Sequence, residues 1–600
     1  MKRVIKSLIR QVLTFVSEQY LVLFFILSLG LKLFFFSTYI TKVTWSAQYV
    51  YGINAGYLSA VVVFLPLLFV RKYKNVLAII VALLFSVLIL IDAIYFSYFA
   101  SLPTVGLLSS LGQTQDIGLA LATLLFWWQI LFFADVIVAI VLLKPAKKLV
   151  EGIKEKYNLK RQNVKIKWSV AILAVGIFWL TLLPVGLNNL TDVMDKGFDT
   201  VTTSQYYGVL VAHAIDIIRF INQETVRLSA DQIEDLSAWV KDNKPTQATD
   251  SLTGSAKGKN VIMIQVESMG GFVMNQTVNG KELMPNLDKL ASQSQFFPND
   301  RFLIGAGHTS DTDFVSNTSY FPLSDAAVFV RYGQDKFTSL PKTLIANGYS
   351  ADTYHGYSRN FWNRNVALAS LGYQKFYAAD NYPKTQTLNM GIMDGDFLSK
   401  TAEFIKAQPK PSLSYTITLT SHVPFATNEK TKDLGLNLSD YPDQVGGYLE
   451  DIHYVDKALG QFFEKLKSEK LYDDSLILVY GDHIPVLPAF KTGTINYDPT
   501  SVPEKEVPLM IKLPNKTEGK TYTNTGSHID ITPTILDLLG IKTNQLMFGQ
   551  SLFATGDKSL KVCKDQLVSF KGSDCSSMLE TEKLKSAEII RYNQFNNLTK

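Results

Sequence analysis

Val261-Ile262-Met263-Ile264-Gln265-Val266 is a short run of β-branched and long apolar side chains, stopped by Glu267. Two further runs have the same build: Ser414-Tyr415-Thr416-Ile417-Thr418-Leu419, with His422 beyond it, and Ser475-Leu476-Ile477-Leu478-Val479-Tyr480, with Asp482 and His483 beyond it. Such runs fit strands buried on both faces, as in a parallel sheet covered by helices. Helical patterns lie between them, over residues 286–294 and 454–467, so the alternation predicts an α/β domain with a mostly parallel, doubly wound sheet. In open sheets of this kind the ligand crevice lies beyond the carboxyl ends of the strands. Glu267, His422, Asp482 and His483 are therefore expected to converge.

Taken singly, each has a plain explanation, a turn-forming Asp or a His with a local hydrogen bond. Three strands ending this way in one sheet favour a site, and six of the seven histidines lie beyond residue 300. Glu267, Asp482 and His483 offer two oxygens and one nitrogen, a set that suits Mn²⁺, Mg²⁺ or Zn²⁺. The stretch Gly305-Ala306-Gly307-His308-Thr309-Ser310-Asp311-Thr312-Asp313 reads as a tight turn running into a helix start. By itself it fits a Thr or Ser capping an ordinary surface helix equally well. Beside a divalent cation, however, the Thr309 hydroxyl is acidified and becomes a candidate nucleophile.

Six hundred residues, 47% of them apolar, with a mean hydropathy of +0.11, exceed what one soluble domain needs and predict a membrane part joined to a globular part. Residues 1–187 carry 18 Lys and Arg against 6 Asp and Glu, and the remainder 40 against 47. No basic tract with interleaved aromatics marks the second part for nucleic acid. Five apolar runs, at 20–41, 53–70, 76–97, 118–143 and 168–187, are each close to the roughly 20 residues of a spanning helix. Lys and Arg crowd the chain before the first run and after the second and fourth, so the N-terminus is expected in the cytoplasm and everything past 187 outside. Lys32, Asp92 and Asp135 fall inside these runs, where they either pair across helices or mark a path for a lipid headgroup. Residues 188–258 read as juxtamembrane helices and a linker, with Tyr206, Tyr207, Leu210, Ala214, Ile217, Ile218 and Ile221 at helical spacing and a capping-box pattern at Ser229 and Gln232. The globular domain is expected over 259–556 and a subdomain or tail over 557–600. Cys563 and Cys575 are too few for a cysteine metal site; a disulfide between them stays open.

Met284-Pro285-Asn286-Leu287-Asp288-Lys289-Leu290, Tyr480-Gly481-Asp482-His483 and Ser527-His528-Ile529-Asp530-Ile531-Thr532-Pro533-Thr534-Ile535-Leu536 resemble hallmarks of the alkaline phosphatase and sulfatase superfamily. Within it, Val266-Glu267-Ser268, His308-Thr309-Ser310-Asp311, Tyr354-His355-Gly356, Phe361-Trp362-Asn363-Arg364 and Ser421-His422-Val423-Pro424-Phe425 resemble lipoteichoic acid synthases. The resemblance implies Mn²⁺, or Mg²⁺ in its place, held by Glu267, Thr309, Asp482 and His483, with Thr309 as nucleophile. It places His355, Trp362, Arg364 and His422 around a glycerol phosphate. It further implies a cell-membrane transferase with an outer catalytic domain, open to proteolytic release. That enzyme takes glycerol phosphate from phosphatidylglycerol, polymerises it on a glycolipid or teichoic acid acceptor and releases diacylglycerol. A primase or decorating transferase acting on a glycolipid or wall polysaccharide, a phosphoethanolamine transferase, and an inactive scaffold for envelope-assembly proteins are the other readings. The chain departs from the family pattern at His308, usually Lys, at Asp313, usually Glu, and at Ile484-Pro485, commonly Tyr-Gly.

Overall fold

The computed structural model describes residues 2–40, 50–99, 102–105, 127–159, 200–225, 229–242, 251–499 without 325 and 360, 506–554 without 524 and 525, 561–563, 566–568 and 575–593. Among them, residues through Thr225 form one compact unit and residues from Ser229 onward another.

The first unit is helical: α1 (Lys2–Phe35), α2 (Val50–Phe64), α3 (Lys74–Phe99), α4 (Ala134–Lys156), α5 (Thr200–Tyr207) and α6 (Val209–Thr225). Three stretches are long and apolar enough to cross a membrane, Ile9–Thr38, Lys74–Ser97 and Trp127–Lys156. The apolar run at 53–70 makes a shorter element, because α2 stops at Phe64 and tightens into a 3₁₀ turn over Leu65–Leu68, where Pro66 has no N–H to continue the ladder. The expected fifth span lies outside the described residues, as does the start of the fourth. Lys32 pairs across helices: its Nζ donates to Asp135 Oδ1 and to Ser86 Oγ, both at 2.7 Å, and Ser28 Oγ donates to Asp135 Oδ2 at 2.6 Å. Asp92 in α3 lies 3.0 Å from His213 Nε2 of α6. All three intramembrane charges thus have partners, which is how charge is tolerated at that depth.

In the second unit α7 (Ala230–Asp242) starts at the expected capping box. The Ser229 N–H donates to Gln232 Oε1 at 2.9 Å and the Gln232 N–H returns to Ser229 Oγ at 3.3 Å. Leu236 and Val240 of this helix enter the core of the α/β unit. Residues 251–258, expected as linker, are folded instead. The Gly254 and Ala256 N–H groups donate to the Asp537 and Leu538 carbonyls at 2.9 and 2.8 Å, satisfying groups that a helix end leaves open.

The sheet has eight strands: β1 (Asn260–Val266), β2 (Gln295–Arg301), β3 (Ser350–His355), β4 (Lys375–Tyr377), β5 (Ser412–Ile417), β6 (Ser475–Gly481), β7 (Glu506–Lys512) and β8 (Lys520–Thr521). Their order is β8-β2-β7-β6-β1-β5-β3-β4. The three runs singled out in the sequence are the adjacent strands β6, β1 and β5, all parallel; only β7 runs against its neighbours. Side chains alternate between two cores: Val261 and Met263 face one, Ile262, Ile264 and Val266 the other. Burying each such side chain contributes about 1.5–3 kcal/mol, which is why these strands are apolar on both faces. The first core is covered by α8 (Thr309–Thr318), α9 (Arg364–Leu371), α10 (Ile531–Leu539) and α11 (Cys575–Arg591), among others. The side chains of Cys563 and Cys575 lie outside the described residues.

Candidate metal and nucleophile site

Val266 pairs with Gly481, Gln265 with Ile417, and Ile417 with His355, so four parallel strands end level. The residues just past them meet. Ligand atoms of Glu267, Asp482 and His483 all lie within 4.8 Å of one another. The Thr309 hydroxyl sits 3.3 Å from both Glu267 Oε2 and His483 Nε2. His483 Nδ1 faces its neighbour's carbonyl, Ile484 O, at 2.9 Å; the proton belongs there, which leaves Nε2 a free lone pair toward the cluster. Because that contact is to a backbone carbonyl, the unusual Ile484-Pro485 does not disturb it.

Electrostatics favour a cation at this point. Burial, then the charge of Glu267, pushes the Asp482 carboxyl well above the usual range. Burial works against Glu267 as well, yet the His422 and His483 imidazoles and the Ser268 hydroxyl hold it below its ordinary value. Asp482 Oδ1 accepts the Ser268 and His483 N–H groups, each at 2.7 Å, whereas its Oδ2 is buried with no hydrogen bond, 3.5 Å from His483 Nε2. Two buried carboxylates beside a histidine, one of their oxygens accepting no hydrogen bond, fit a divalent metal.

Thr309 reaches this place on an uncommon turn. It is the first residue of α8, all ten residues of which are buried, so the surface-helix reading does not apply. His308 caps the helix at φ 45°, ψ −122°, a region almost closed to side chains. Asp311 holds the turn, its Oδ2 accepting the Gly305 and Gly307 N–H groups at 2.7 and 2.8 Å. Burial pushes this carboxyl up to about 7, against those two hydrogen bonds. Ser268, Trp362 and Phe425 also adopt positive φ. Positive-φ backbone thus recurs in the loops that carry Ser268, His308, Trp362 and Phe425.

Of the remaining expected residues, His355, Arg364 and His422 act on one another, and His422 also on Glu267. Arg364, 1% exposed, donates from Nε to Asp313 Oδ2 at 2.7 Å, and its Nη1 lies 3.4 Å from His355 Nε2. Its Nη2 is buried with no partner. His355 Nδ1 faces Ile417 O at 3.1 Å, and burial, then the charge of Arg364, holds the ring well below its ordinary value, so Nε2 accepts. His422 is likewise buried and lowered, chiefly by desolvation. Its Nδ1 faces Val423 O at 2.6 Å, so that Nε2 is the ring nitrogen left for proton exchange chemistry. Trp362 stands half-buried in a 3₁₀ turn over Phe361–Asn363.

Several supports went unread in the sequence. Ser268 Oγ donates to Glu267 Oε1 at 2.8 Å, Ser421 Oγ to the Glu267 carbonyl at 2.6 Å, and His528 Nε2 to Gly481 O at 2.8 Å. Burial takes His528 down to about 4, which fixes it as a neutral donor. A polar Gln265 in the middle of an otherwise apolar strand was the available signal for a further buried network.

A family model described as lipoteichoic acid synthase N-terminal domain matches residues 1–229, and one described as sulfatase matches residues 259–541. The chain is 31% identical over 511 residues to the lipoteichoic acid synthase of Staphylococcus aureus strain USA300, covering 82% of this chain and 76% of that one. It belongs to the lipoteichoic acid synthase family. The synthase of Staphylococcus aureus strain bovine RF122 / ET3-1 matches with the same identity and coverage. Among solved structures, the lipoteichoic acid synthase LtaP from Listeria monocytogenes is similar at 26% identity, with a TM-score of 0.49 over 55% of this chain and 82% of that one. Streptococcus pyogenes phosphoglycerol transferase GacH, solved with sn-glycerol-1-phosphate, is similar at 16% identity, with a TM-score of 0.41 over 60% of this chain and 91% of that one.

Proposed function

We propose that this family member is a membrane-anchored transferase that takes glycerol phosphate from phosphatidylglycerol and polymerises it on a glycolipid anchor outside the cell, releasing diacylglycerol. The observation that carries this is the Thr309 hydroxyl, 3.3 Å from both Glu267 and His483, at the head of the buried helix whose Asp313 holds Arg364 with its Nη2 unpartnered, in a chain of this family. Glu267, Asp482, His483 and Thr309 would hold the metal, Mn²⁺ or Mg²⁺, which supplies Lewis acidity toward the hydroxyl and the phosphate oxygens.

In the first step the Thr309 Oγ1–phosphorus bond forms and the hydroxyl's proton passes to water. The bond from phosphorus to the diacylglycerol oxygen breaks, and that oxygen is protonated by His422. Burial keeps His422 neutral in the free site, and the arriving phosphate charge favours its protonated form. Arg364 holds phosphate oxygens through Nη2, while Trp362 and His355 wall the glycerol. In the second step His422, now neutral, takes the proton of an acceptor hydroxyl whose oxygen bonds to phosphorus; Thr309 leaves and regains a proton from water. The energy resides in the lipid phosphodiester, so no nucleotide is required.

The Lys and Arg pattern of the loops supports a cytoplasmic N-terminus and an outer catalytic unit, close to its lipid donor. The test is to incubate the full-length protein with fluorescent phosphatidylglycerol, Mn²⁺ and candidate glycolipids. Diacylglycerol and glycolipids carrying added glycerol phosphates are expected; transfer from phosphatidylethanolamine alone overturns the donor assignment.

A further inference from the structure

Asp313 lies one helical turn beyond Thr309, fully buried in α8. Its Oδ2 accepts the 2.7 Å hydrogen bond from Arg364 Nε. Its Oδ1 accepts from Gln265 Nε2 at 2.9 Å and lies 3.0 Å from the Tyr415 hydroxyl, which is also 2.6 Å from Gln265 Oε1. Gln265 stands two residues before Glu267 on β1 and Tyr415 on the neighbouring β5. One carboxylate therefore joins the nucleophile's helix, the strand that delivers a metal ligand, and the arginine.

A buried ion pair is weak evidence for stability, since desolvation of both partners offsets their attraction. Here the arrangement has a directional consequence. With Nε committed to Asp313 and Nη1 against His355, the guanidinium cannot rotate about its long side chain. The nitrogen left over, Nη2, is buried and unpartnered. Nothing else in the described site supplies an anion with a comparably fixed cationic donor.

We infer that Asp313, braced by Gln265 and Tyr415, is a positioning residue that orients Arg364 so that Nη2 meets a phosphate oxygen of the group bound at Thr309. This rests on the proposed phosphate transfer, and it assigns the grip to a four-residue network rather than to Arg364 alone. The carboxylate matters for its position between helix and strand, and the Asp in place of the family's usual Glu fits this spacing through the short 2.7 Å contact.

The test uses the full-length protein in detergent with Mn²⁺ and inorganic phosphate as the probe, binding being read by calorimetry. Asp313→Asn, nearly isosteric, is expected to weaken phosphate binding by about tenfold or more, the effect of loosening a charge-assisted hydrogen bond. In an Arg364→Ala background the same change is expected to cost nothing further, because its effect passes through Arg364. A purely structural role would lower the melting temperature and give the same loss in both backgrounds. Unchanged phosphate binding, or an equal loss with and without Arg364, overturns the inference. If Asp313→Asn does not fold, Tyr415→Phe takes its place; a smaller loss confined to the Arg364 background supports the inference, and parent-like binding overturns it. Turnover of phosphatidylglycerol by the parent protein is measured separately. Phosphate bound without transfer from that lipid would sink the functional reading while leaving the Asp313 series to be judged on binding.

Discussion

Asp300, in β2, has no exposure and no partner for either carboxylate oxygen, and Arg301 beside it leaves Nε and Nη1 unpartnered. Burial, then the charges of Asp530 and Glu506, holds the Asp300 carboxyl well above the usual range. Since the folded value is raised, the stability this group contributes is full below the unfolded value, near pH 4, and is lost as pH rises through the folded one. Asp300→Asn should therefore stabilise the protein at pH 8 by about 1 kcal/mol or more, with the gain shrinking toward pH 4. Melting curves at both pH values check this; a variant that melts below the parent at pH 8 contradicts it. At the same scale, Glu267, His422, Asp482 and His483 were legible because each stands where an apolar run stops. Asp313 and Gln265 were not. Their meaning depends on Tyr415 and Arg364, 102 and 51 residues from Asp313 in the chain, and no local pattern records that meeting.

The turn into α8 is the element on which the site depends. A Cβ on Gly307 would stand 2.3 Å from Asp311 Oδ1, and Asp311 cannot withdraw without releasing the Gly305 and Gly307 N–H groups that it holds. Gly307→Ala should thus displace Thr309 while the buried helix persists, lowering diacylglycerol release by on the order of 10²-fold, as misplacement by about 1 Å does. A variant with parent-like turnover would show that the turn tolerates the extra carbon. Elements with a strong local period were readable in advance: the β1, β5 and β6 runs and the capping box of α7. Others carry no such mark. The apolar run at 53–70 counts as a full span until Pro66 interrupts its hydrogen bonds. The antiparallel β7 has the same apolar texture as its parallel neighbours, because strand direction follows from the connections and not from composition. The polar run at 251–258 reads as linker, yet it docks through backbone groups, which side-chain polarity does not report.

Across the molecule, three helices long and apolar enough to cross a bilayer, among the described residues, precede an α/β unit whose candidate cluster is assembled from strand ends and one helix start. The division of labour follows. In the proposed reaction the helical unit serves to keep the chain where the lipid donor is concentrated. The sheet supplies rigid ends that hold Glu267, Asp482 and His483, and the strained turn before α8 brings Thr309 to them. A buried cluster of carboxylates is costly for folding, so its retention is explained by chemistry and not by stability. In the proposed mechanism Thr309 carries glycerol phosphate covalently between donor and acceptor. The most direct measurement supplies full-length protein with phosphatidylglycerol and Mn²⁺ but no acceptor, then digests it and maps modified peptides by mass spectrometry. Glycerol phosphate on Thr309, with diacylglycerol released in equal amount and neither seen in Thr309→Ala, is the predicted result; release of diacylglycerol at the parent rate by Thr309→Ala, or the adduct on another residue, would contradict it.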